Sequence, residues 1–97
     1  SSEIPNDAYP ELDRLIEQLK DNPNVRIQIA GHADALEQLD HPDISEERAK
    51  EVAKYIMQNG FSNIEYVGYE DKKPVAPNDS EQNRAQNRRV EITVVDK

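Results

Sequence analysis

The chain has 97 residues, and its 20 Asp and Glu against 12 Lys and Arg give a formal charge of −8 at neutral pH. This length predicts a single domain over residues 1–97, and the acidic excess disfavours binding to duplex nucleic acid or to anionic membranes. There is no cysteine, which excludes disulfides, thiolate metal sites and a cysteine nucleophile, and no apolar run approaches the roughly 20 residues that cross a bilayer.

The first third of the chain predicts a helix followed by a strand. Residues 1–7 are predicted to form a leading loop, after which apolar residues recur at the spacing of one helix face until residues 21–24 stop the helix. The apolar face of this helix consists of Leu12, Leu15, Ile16 and Leu19. Residues 25–30 then alternate between apolar and polar side chains, which predicts a half-buried strand that ends at Gly31.

A second helix is predicted after a polar loop. The loop spans residues 32–43, where Leu36 and Leu39 favour a short turn of helix. The helix begins at Ser45, and either Ser45 or Asp43 is expected to cap its first amides. Its buried face is predicted to consist of Ala49, Val52, Ala53, Ile56 and Met57.

The remaining residues predict two strands and a connecting segment. Residues 64–69 and 90–95 are predicted strands, residues 70–80 a loop and residues 81–87 a short helix or turn. This order favours one sheet with both long helices packed on one face. Because a helix without a preceding strand leaves a βαβ unit incomplete, we expect the chain to be a fragment of a longer protein whose domain has one more N-terminal strand.

Two residues of opposite charge are predicted to face one cleft. Asp34 directly follows the first strand, where open α/β sheets usually bind their ligands, and Arg48 lies in the first turn of the second helix. The free amides and the positive dipole end of that turn favour anions. Together these groups suit a zwitterion, in which the Asp takes an ammonium and the Arg takes a carboxylate. The alternative is that the two side chains form an ion pair with each other.

Four short motifs follow one another at the ends of the predicted elements. They are Gly31-His32-Ala33-Asp34, Ile44-Ser45-Glu46-Glu47-Arg48-Ala49, Gly68-Tyr69-Glu70 and Asn87-Arg88-Arg89-Val90-Glu91. In this order and spacing they resemble the OmpA-like domain, the OmpA/MotB C-terminal family of peptidoglycan-binding domains. The resemblance extends over residues 12–95.

This resemblance implies a fold and a location. The expected fold class is α+β, a two-layer α/β sandwich with the family core β-α-β-α-β-β, a mixed sheet and helices on one face, whose first strand is absent from this chain. The parent chain is expected to be an envelope protein in the periplasm. The parent chain is expected to be attached to the outer membrane through its other segments. This domain itself is not expected to insert into the membrane.

The resemblance also implies a function. The expected function is that of a noncatalytic module that anchors the envelope protein to the cell wall, with no cofactor and no metal. Family members hold the diaminopimelate of the peptidoglycan stem peptide with the residues that match Asp34 and Arg48. His41 stands where the family usually has Asn, and Arg88 matches the arginine on the pocket side, so both are also predicted to bind the ligand.

The predicted binding loop departs from the family pattern. It is slightly shorter, and Ala35-Leu36-Glu37 stands where a Gly usually follows the Asp. This departure motivates a second hypothesis, a protein-interaction or assembly module that kept the fold and lost peptidoglycan binding. The sequence also leaves a homodimer open.

A third hypothesis is a metal-dependent hydrolase in which His32, Asp34 and His41 hold the ion. Their spacing is unlike that of structural zinc sites, which normally use four ligands that include Cys. Neither a Ser-His-Asp order nor a nucleophile elbow is visible, so no catalytic residue is predicted. His32 is instead expected to make structural hydrogen bonds under the sheet.

Overall fold

The computed structural model describes residues 2–96, which contain the predicted elements in the predicted order. Ser1 and Lys97, the two ends of the predicted domain, lie outside the described residues. A 3-10 turn at Asn6–Ala8 leads into the first helix. The helices are α1 (Tyr9–Asp21), α2 (Ala35–Asp40), α3 (Ile44–Gln58) and α4 (Glu81–Asn87), and the strands are β1 (Arg26–Gly31), β2 (Ile64–Gly68) and β3 (Val90–Asp96).

The three strands form one mixed sheet in the order β2-β1-β3. β1 runs parallel to β2 and antiparallel to β3, so Ile29 in the central strand pairs with Tyr66 on one side and with Ile92 on the other. The parallel pair is possible because α3 carries the chain back between β1 and β2, as a crossover connection requires. The predicted mixed sheet is confirmed.

Both long helices pack on the same face of the sheet. Ile27 and Ile29 alternate with Gln28 along β1, and both isoleucines are fully buried against α1 and α3. The helix residues that share this core are Leu12, Ile16 and Leu19 of α1 and Ala49, Val52, Ala53 and Ile56 of α3. This arrangement confirms the α+β class, with two layers and the long helices on one face.

Two predictions about α3 are wrong. Met57 is 44% exposed, because it lies on the flank of the helix, past the residues that contact the sheet. Neither Ser45 nor Asp43 caps the helix through its side chain, and α3 begins at Ile44 without a side-chain cap. The Ser45 hydroxyl instead accepts a hydrogen bond from the Glu70 amide at 3.0 Å, so it joins α3 to the segment that follows β2.

The start of α3 crosses directly over the ends of β1 and β2. A Cβ at Gly31 would overlap the Ser45 carbonyl oxygen, and a Cβ at Gly68 would lie 2.5 Å from the Glu46 amide nitrogen. Only glycine permits so close an approach of one backbone to another. The two glycines therefore fix where Arg48, slightly further along α3, meets the chain that leaves β1.

The two short helices have local caps. The turn predicted around Leu36 and Leu39 is a helix of its own, α2, which begins with a capping box. α4 confirms the helical alternative for residues 81–87, and the Ser80 hydroxyl accepts a hydrogen bond from the Asn83 amide at 3.1 Å at its start. Across residues 2–96, no helix combines the length and the hydrophobicity that a membrane crossing requires.

Candidate functional site

Asp34 lies between β1 and α2. Its Oδ1 accepts a hydrogen bond from the Glu37 amide at 2.7 Å, and the Glu37 carboxylate accepts one from the Asp34 amide at 3.3 Å. These two hydrogen bonds form the capping box of α2. The other oxygen, Oδ2, lies 2.7 Å from Nη1 of Arg88. The side chain is only 2% exposed, so the carboxylate lies beneath its partners.

The pKa of Asp34 is lowered in spite of this burial. Burial by itself disfavours the charged form, but the hydrogen bond from the Glu37 amide and the Arg88 guanidinium together stabilise the carboxylate more strongly. The pKa of the partner, Arg88, is raised. The hydrogen bond to Glu81 has the largest effect, and the hydrogen bond to Asp34 has the next largest. Asp34 is therefore an ionised, hydrogen-bonded carboxylate at neutral pH.

Arg48 reaches the same region from α3 but pairs with a different residue. Its guanidinium forms a bidentate ion pair with Glu37, in which Nη1 lies 2.7 Å from Oε1 and Nη2 contacts Oε2. Nη1 also donates a hydrogen bond to the His32 carbonyl oxygen at 2.9 Å. The Arg48 and Glu37 side chains are 11% and 19% exposed, so the pair is largely shielded from solvent.

The two predicted site residues are therefore linked through other residues. Arg88 pairs with Asp34 and Glu37 pairs with Arg48, in place of the direct ion pair that the sequence left open. Glu37 joins the two pairs, because it also belongs to the capping box with Asp34. Sequence reasoning placed Arg88 at the pocket but missed Glu37. The signal was present, since an Asp followed three residues later by Glu is a capping-box pattern.

His41 follows α2 and lies on the surface next to α3. Its Nε2 lies 3.0 Å from the Glu47 carboxylate, and its side chain is 53% exposed. The Ile44 amide donates to the His41 carbonyl oxygen at 3.1 Å, so one of the helix amides predicted to bind the ligand is used within the chain. Of the four predicted ligand-binding residues, His41 is the one that the structure places apart from the others.

A cavity of about 660 Å³ opens beside the two ion pairs. Residues 2–5 line one side, and the charged residues of the lining are Glu3, Glu11, Glu37, Arg48, Arg88 and Arg89. Its apolar wall comes from Leu12, Leu15, Val52, Val90 and Ile92. This volume lies in the range of pockets that bind small molecules. Because Asp34 lies behind Arg88 and does not line the cavity, a ligand there meets guanidinium groups before it meets the Asp34 carboxylate.

Asn87 braces the loop beside the site. The residue is fully buried, and its side-chain oxygen accepts hydrogen bonds from the amides of Val75 and Ala76 at 2.8 and 3.1 Å. Its side-chain nitrogen donates to Asn78 at 3.0 Å, and Asn78 in turn accepts from the Ala35 amide. This network holds the loop before α4 against the first residue of α2.

His32 does not make the hydrogen bonds predicted for its ring. Among the described residues 2–96, neither ring nitrogen has a hydrogen-bond partner, and Nε2 lies 3.5 Å from a Glu91 oxygen. The ring is buried and stacks on Tyr69, with 5.6 Å between ring centroids, because the loop after β2 folds over it. The pKa of His32 is lowered, mainly by burial and to a smaller extent by the nearby charge of Arg89. The neutral imidazole is therefore favoured.

The geometry gives no support to the metal hypothesis. In the part of the chain that the structure describes, no three His, Asp or Glu side chains are grouped so that they could hold an ion. His32 stacks under the loop, Asp34 is bound by Arg88, and His41 lies on the surface beside Glu47. The three proposed ligands therefore do not converge.

Proteins with related sequences align with this chain over nearly its whole length. A sequence model of the OmpA family matches residues 1–88. Outer membrane porin F of Pseudomonas fluorescens is 33% identical over 100 residues, and peptidoglycan-binding protein ArfA of Mycobacterium bovis is 40% identical over 98 residues. These alignments cover 96% and 97% of this chain, but the chain spans only 29% of the length of either relative.

Solved structures agree with this assignment. The C-terminal domain of Helicobacter pylori MotB has a TM-score of 0.88 at 28% identity, covering 100% of this chain and 80% of that one. The cell wall anchor of the T6SS from Pseudomonas aeruginosa has a TM-score of 0.78 at 32% identity, covering 100% of this chain and 72% of that one. Sequence and fold lead to the same conclusion, that the chain belongs to the OmpA family.

Proposed function

We propose that this chain is a noncatalytic module that binds peptidoglycan and anchors a longer envelope protein to the cell wall. Relatives named as a peptidoglycan-binding protein, a peptidoglycan-associated lipoprotein and a cell wall anchor support this function. The outer membrane porin and lipoprotein relatives support a periplasmic location, with the parent protein attached to the outer membrane.

The observation that carries the proposal is the cavity whose lining includes Arg48 and Arg88. Arg48 and Arg88 both line it, and carboxylates hold each guanidinium in place. A guanidinium binds a carboxylate through two parallel hydrogen bonds, and the apolar wall suits a methylene chain. We therefore propose the diaminopimelate of the stem peptide as the ligand, because it ends in an ammonium and a carboxylate on a short methylene chain.

Each site residue has a proposed role. Arg48 binds the carboxylate of the ligand, and Asp34 binds its ammonium. Because Arg88 covers Asp34, the ammonium takes the place of the guanidinium at Oδ2, and Arg88 keeps its other partner, Glu81. The exchange replaces one charge-assisted hydrogen bond with another. His41 extends the site when its pair with Glu47 opens.

A single stem peptide is expected to bind weakly. Charge-assisted hydrogen bonds contribute about 1.5–3 kcal/mol each, whereas association costs several kcal/mol in lost freedom of motion. The cell wall offers many copies of the ligand, so a protein with several such modules, or one held near the wall, gains affinity through multivalency.

A pull-down with purified sacculi tests this function. The wild-type chain is expected to be retained on sacculi of the diaminopimelate type, while Arg48→Ala and Asp34→Ala are each expected to abolish detectable retention. Sacculi of the lysine type lack the second carboxylate, so they should retain the wild type less well. Arg14→Ala removes an exposed guanidinium from α1, away from the cavity, and serves as the matched control.

The outcomes of the pull-down separate binding from folding. Circular dichroism of each variant checks that the helices persist, which matters for Asp34→Ala because Asp34 caps α2. Retention of a folded Arg48→Ala variant at the wild-type level, or equal retention on both types of wall, would falsify the proposed mechanism.

A protein-interaction or assembly module is the second candidate function. Two observations favour it: Arg48 already has a carboxylate partner, and α2 presents Leu36 and Leu39 at 52% and 80% exposure. Exposed apolar residues of this kind are common at protein interfaces. Passage of the wild-type chain through sacculi without retention would favour this candidate over the first.

A further inference from the structure

Glu37 places a carboxylate where the ligand is also expected to place one. Its Oε1 lies 2.7 Å from Nη1 of Arg48, and its Oε2 contacts Nη2 of the same guanidinium. Both residues line the cavity. This bidentate geometry is the one in which an arginine would hold the carboxylate of a ligand, so the two carboxylates compete for the same donors.

Arg48 is held in position by more than Glu37. Its Nη1 also donates to the His32 carbonyl oxygen at 2.9 Å, at the end of β1. Release of Glu37 therefore leaves an oriented guanidinium with donors directed at the cavity, rather than a mobile side chain that must first be ordered.

The charge of Glu37 also favours competition. A free carboxylate on the ligand, placed against Arg48, would lie next to the like charge of Glu37, whose side chain is only 19% exposed. An amide in the same place carries no charge and is not repelled.

On the basis of the proposed function, we propose that Glu37 is a specificity-determining residue. Its carboxylate competes with the side-chain carboxylate of diaminopimelate for Arg48. It thereby lowers the affinity for stem peptides in which that carboxyl is free and leaves the affinity for those in which it is amidated little changed.

Calorimetric titration with two synthetic stem peptides tests this role. Both peptides end in diaminopimelate, and they differ only in whether its side-chain carboxyl is free or amidated. Glu37→Gln keeps an acceptor for the Asp34 amide but removes the charge that competes. Its affinity for the free-carboxylate peptide is expected to exceed that of the wild type roughly tenfold, while its affinity for the amidated peptide changes little.

Two further variants control this measurement. Glu46→Gln removes the same charge from an exposed side chain at the start of α3, so it should shift both affinities by one small factor. Glu37→Ala removes the competing group entirely, and it should also raise the affinity for the free-carboxylate peptide. Thermal melts establish that both Glu37 variants are folded, since Glu37 belongs to the capping box of α2.

The outcomes distinguish this inference from the proposed function. If the wild type binds both peptides and neither folded Glu37 variant binds the free-carboxylate peptide more tightly, the inference is wrong and the proposed function stands. If the wild type binds neither peptide and is not retained on sacculi, the proposed function fails and the inference fails with it. A gain confined to the free-carboxylate peptide supports both.

Discussion

Asp34 and Glu37 hold the candidate site together before any ligand is present. Each accepts a hydrogen bond from the other's amide at the start of α2, and each also pairs with an arginine. A substitution at either residue therefore alters the local fold as well as the charge of the cavity edge. This double role is the reason that every test of these residues needs a folding control.

His32 gives a prediction that depends on pH. Burial and the nearby Arg89 lower its pKa from the ordinary value of 6.5, so the unfolded chain takes up a proton that the folded chain resists. Protonation therefore favours the unfolded state, and the free energy of unfolding should fall as the pH decreases below about 6.5. Chemical denaturation from about pH 7 to about pH 5 measures this loss.

The comparison for this prediction is His32→Phe, which keeps an aromatic ring against Tyr69 but cannot take up a proton. The wild type should lose more stability over this pH range than the variant does. Equal losses in the two proteins would show that His32 does not contribute to the pH dependence.

Individual site residues were predicted from the sequence better than their partners were. The positions of Asp34 after β1 and of Arg88 beside the cavity follow from motif and strand order. The pairs that Asp34 and Arg48 form join segments that are distant along the chain, and no local spacing predicts them. Glu81 and Arg88 lie seven residues apart, at the two ends of α4, so their pair depends on α4 being helical, and the sequence showed α4 as no more than a short helix or turn.

At the scale of elements, the contact of α3 with the ends of β1 and β2 positions the cavity. Gly31 and Gly68 allow the first turn of α3 to contact both strands. Beside them, the Ser45 hydroxyl accepts a hydrogen bond from the Glu70 amide. Arg48 follows directly on α3, so its guanidinium reaches the His32 carbonyl oxygen at the end of β1.

Gly31→Ala is expected to be strongly destabilising for this reason. The added methyl group would overlap the Ser45 carbonyl oxygen, so α3 must move away from the sheet. We expect a loss of at least about 3 kcal/mol in the free energy of unfolding, at the upper end of the usual cost of overpacking. Urea denaturation measures it.

Gly60→Ala provides the comparison for Gly31→Ala. Gly60 has a positive φ of 103°, but an added Cβ would meet only the flexible end of Lys20 at 3.5 Å. Its replacement should therefore cost about 1–2 kcal/mol through backbone strain alone. A smaller loss for Gly31→Ala than for Gly60→Ala would contradict the close crossing of α3 over β1.

The elements themselves followed from hydrophobic periodicity. The faces of α1 and of α3 up to Ile56 and the alternation of β1 correspond to the core, except that Leu15 is only partly buried and lines the cavity. The sequence pattern gave wrong predictions for side chains that do not pack in the core or cap a helix. Met57 continues the apolar pattern yet lies outside it, and Ser45 looks like a helix cap yet bonds to the loop after β2.

At the scale of the whole molecule, the acidic net charge and the arginines at the cavity edge oppose each other. The net charge of −8 repels an anionic wall peptide over a distance of about 8–10 Å, the screening length at moderate salt. If the proposed function holds, Arg48 must attract the ligand carboxylate at short range, where the surrounding chain partly excludes water. We then expect weak binding of one stem peptide and stronger retention on the polymer.

The claim that Arg48 and Asp34 hold the carboxylate and the ammonium of a wall peptide is tested most directly by nuclear magnetic resonance. A stem peptide that ends in diaminopimelate is titrated into the isotope-labelled chain while the guanidinium and amide signals are followed. We predict saturable shifts at Arg48, at Arg88 and at the amides of residues 31–37. An absence of saturable shifts there, or shifts confined to residues outside the cavity, would contradict the proposed binding site.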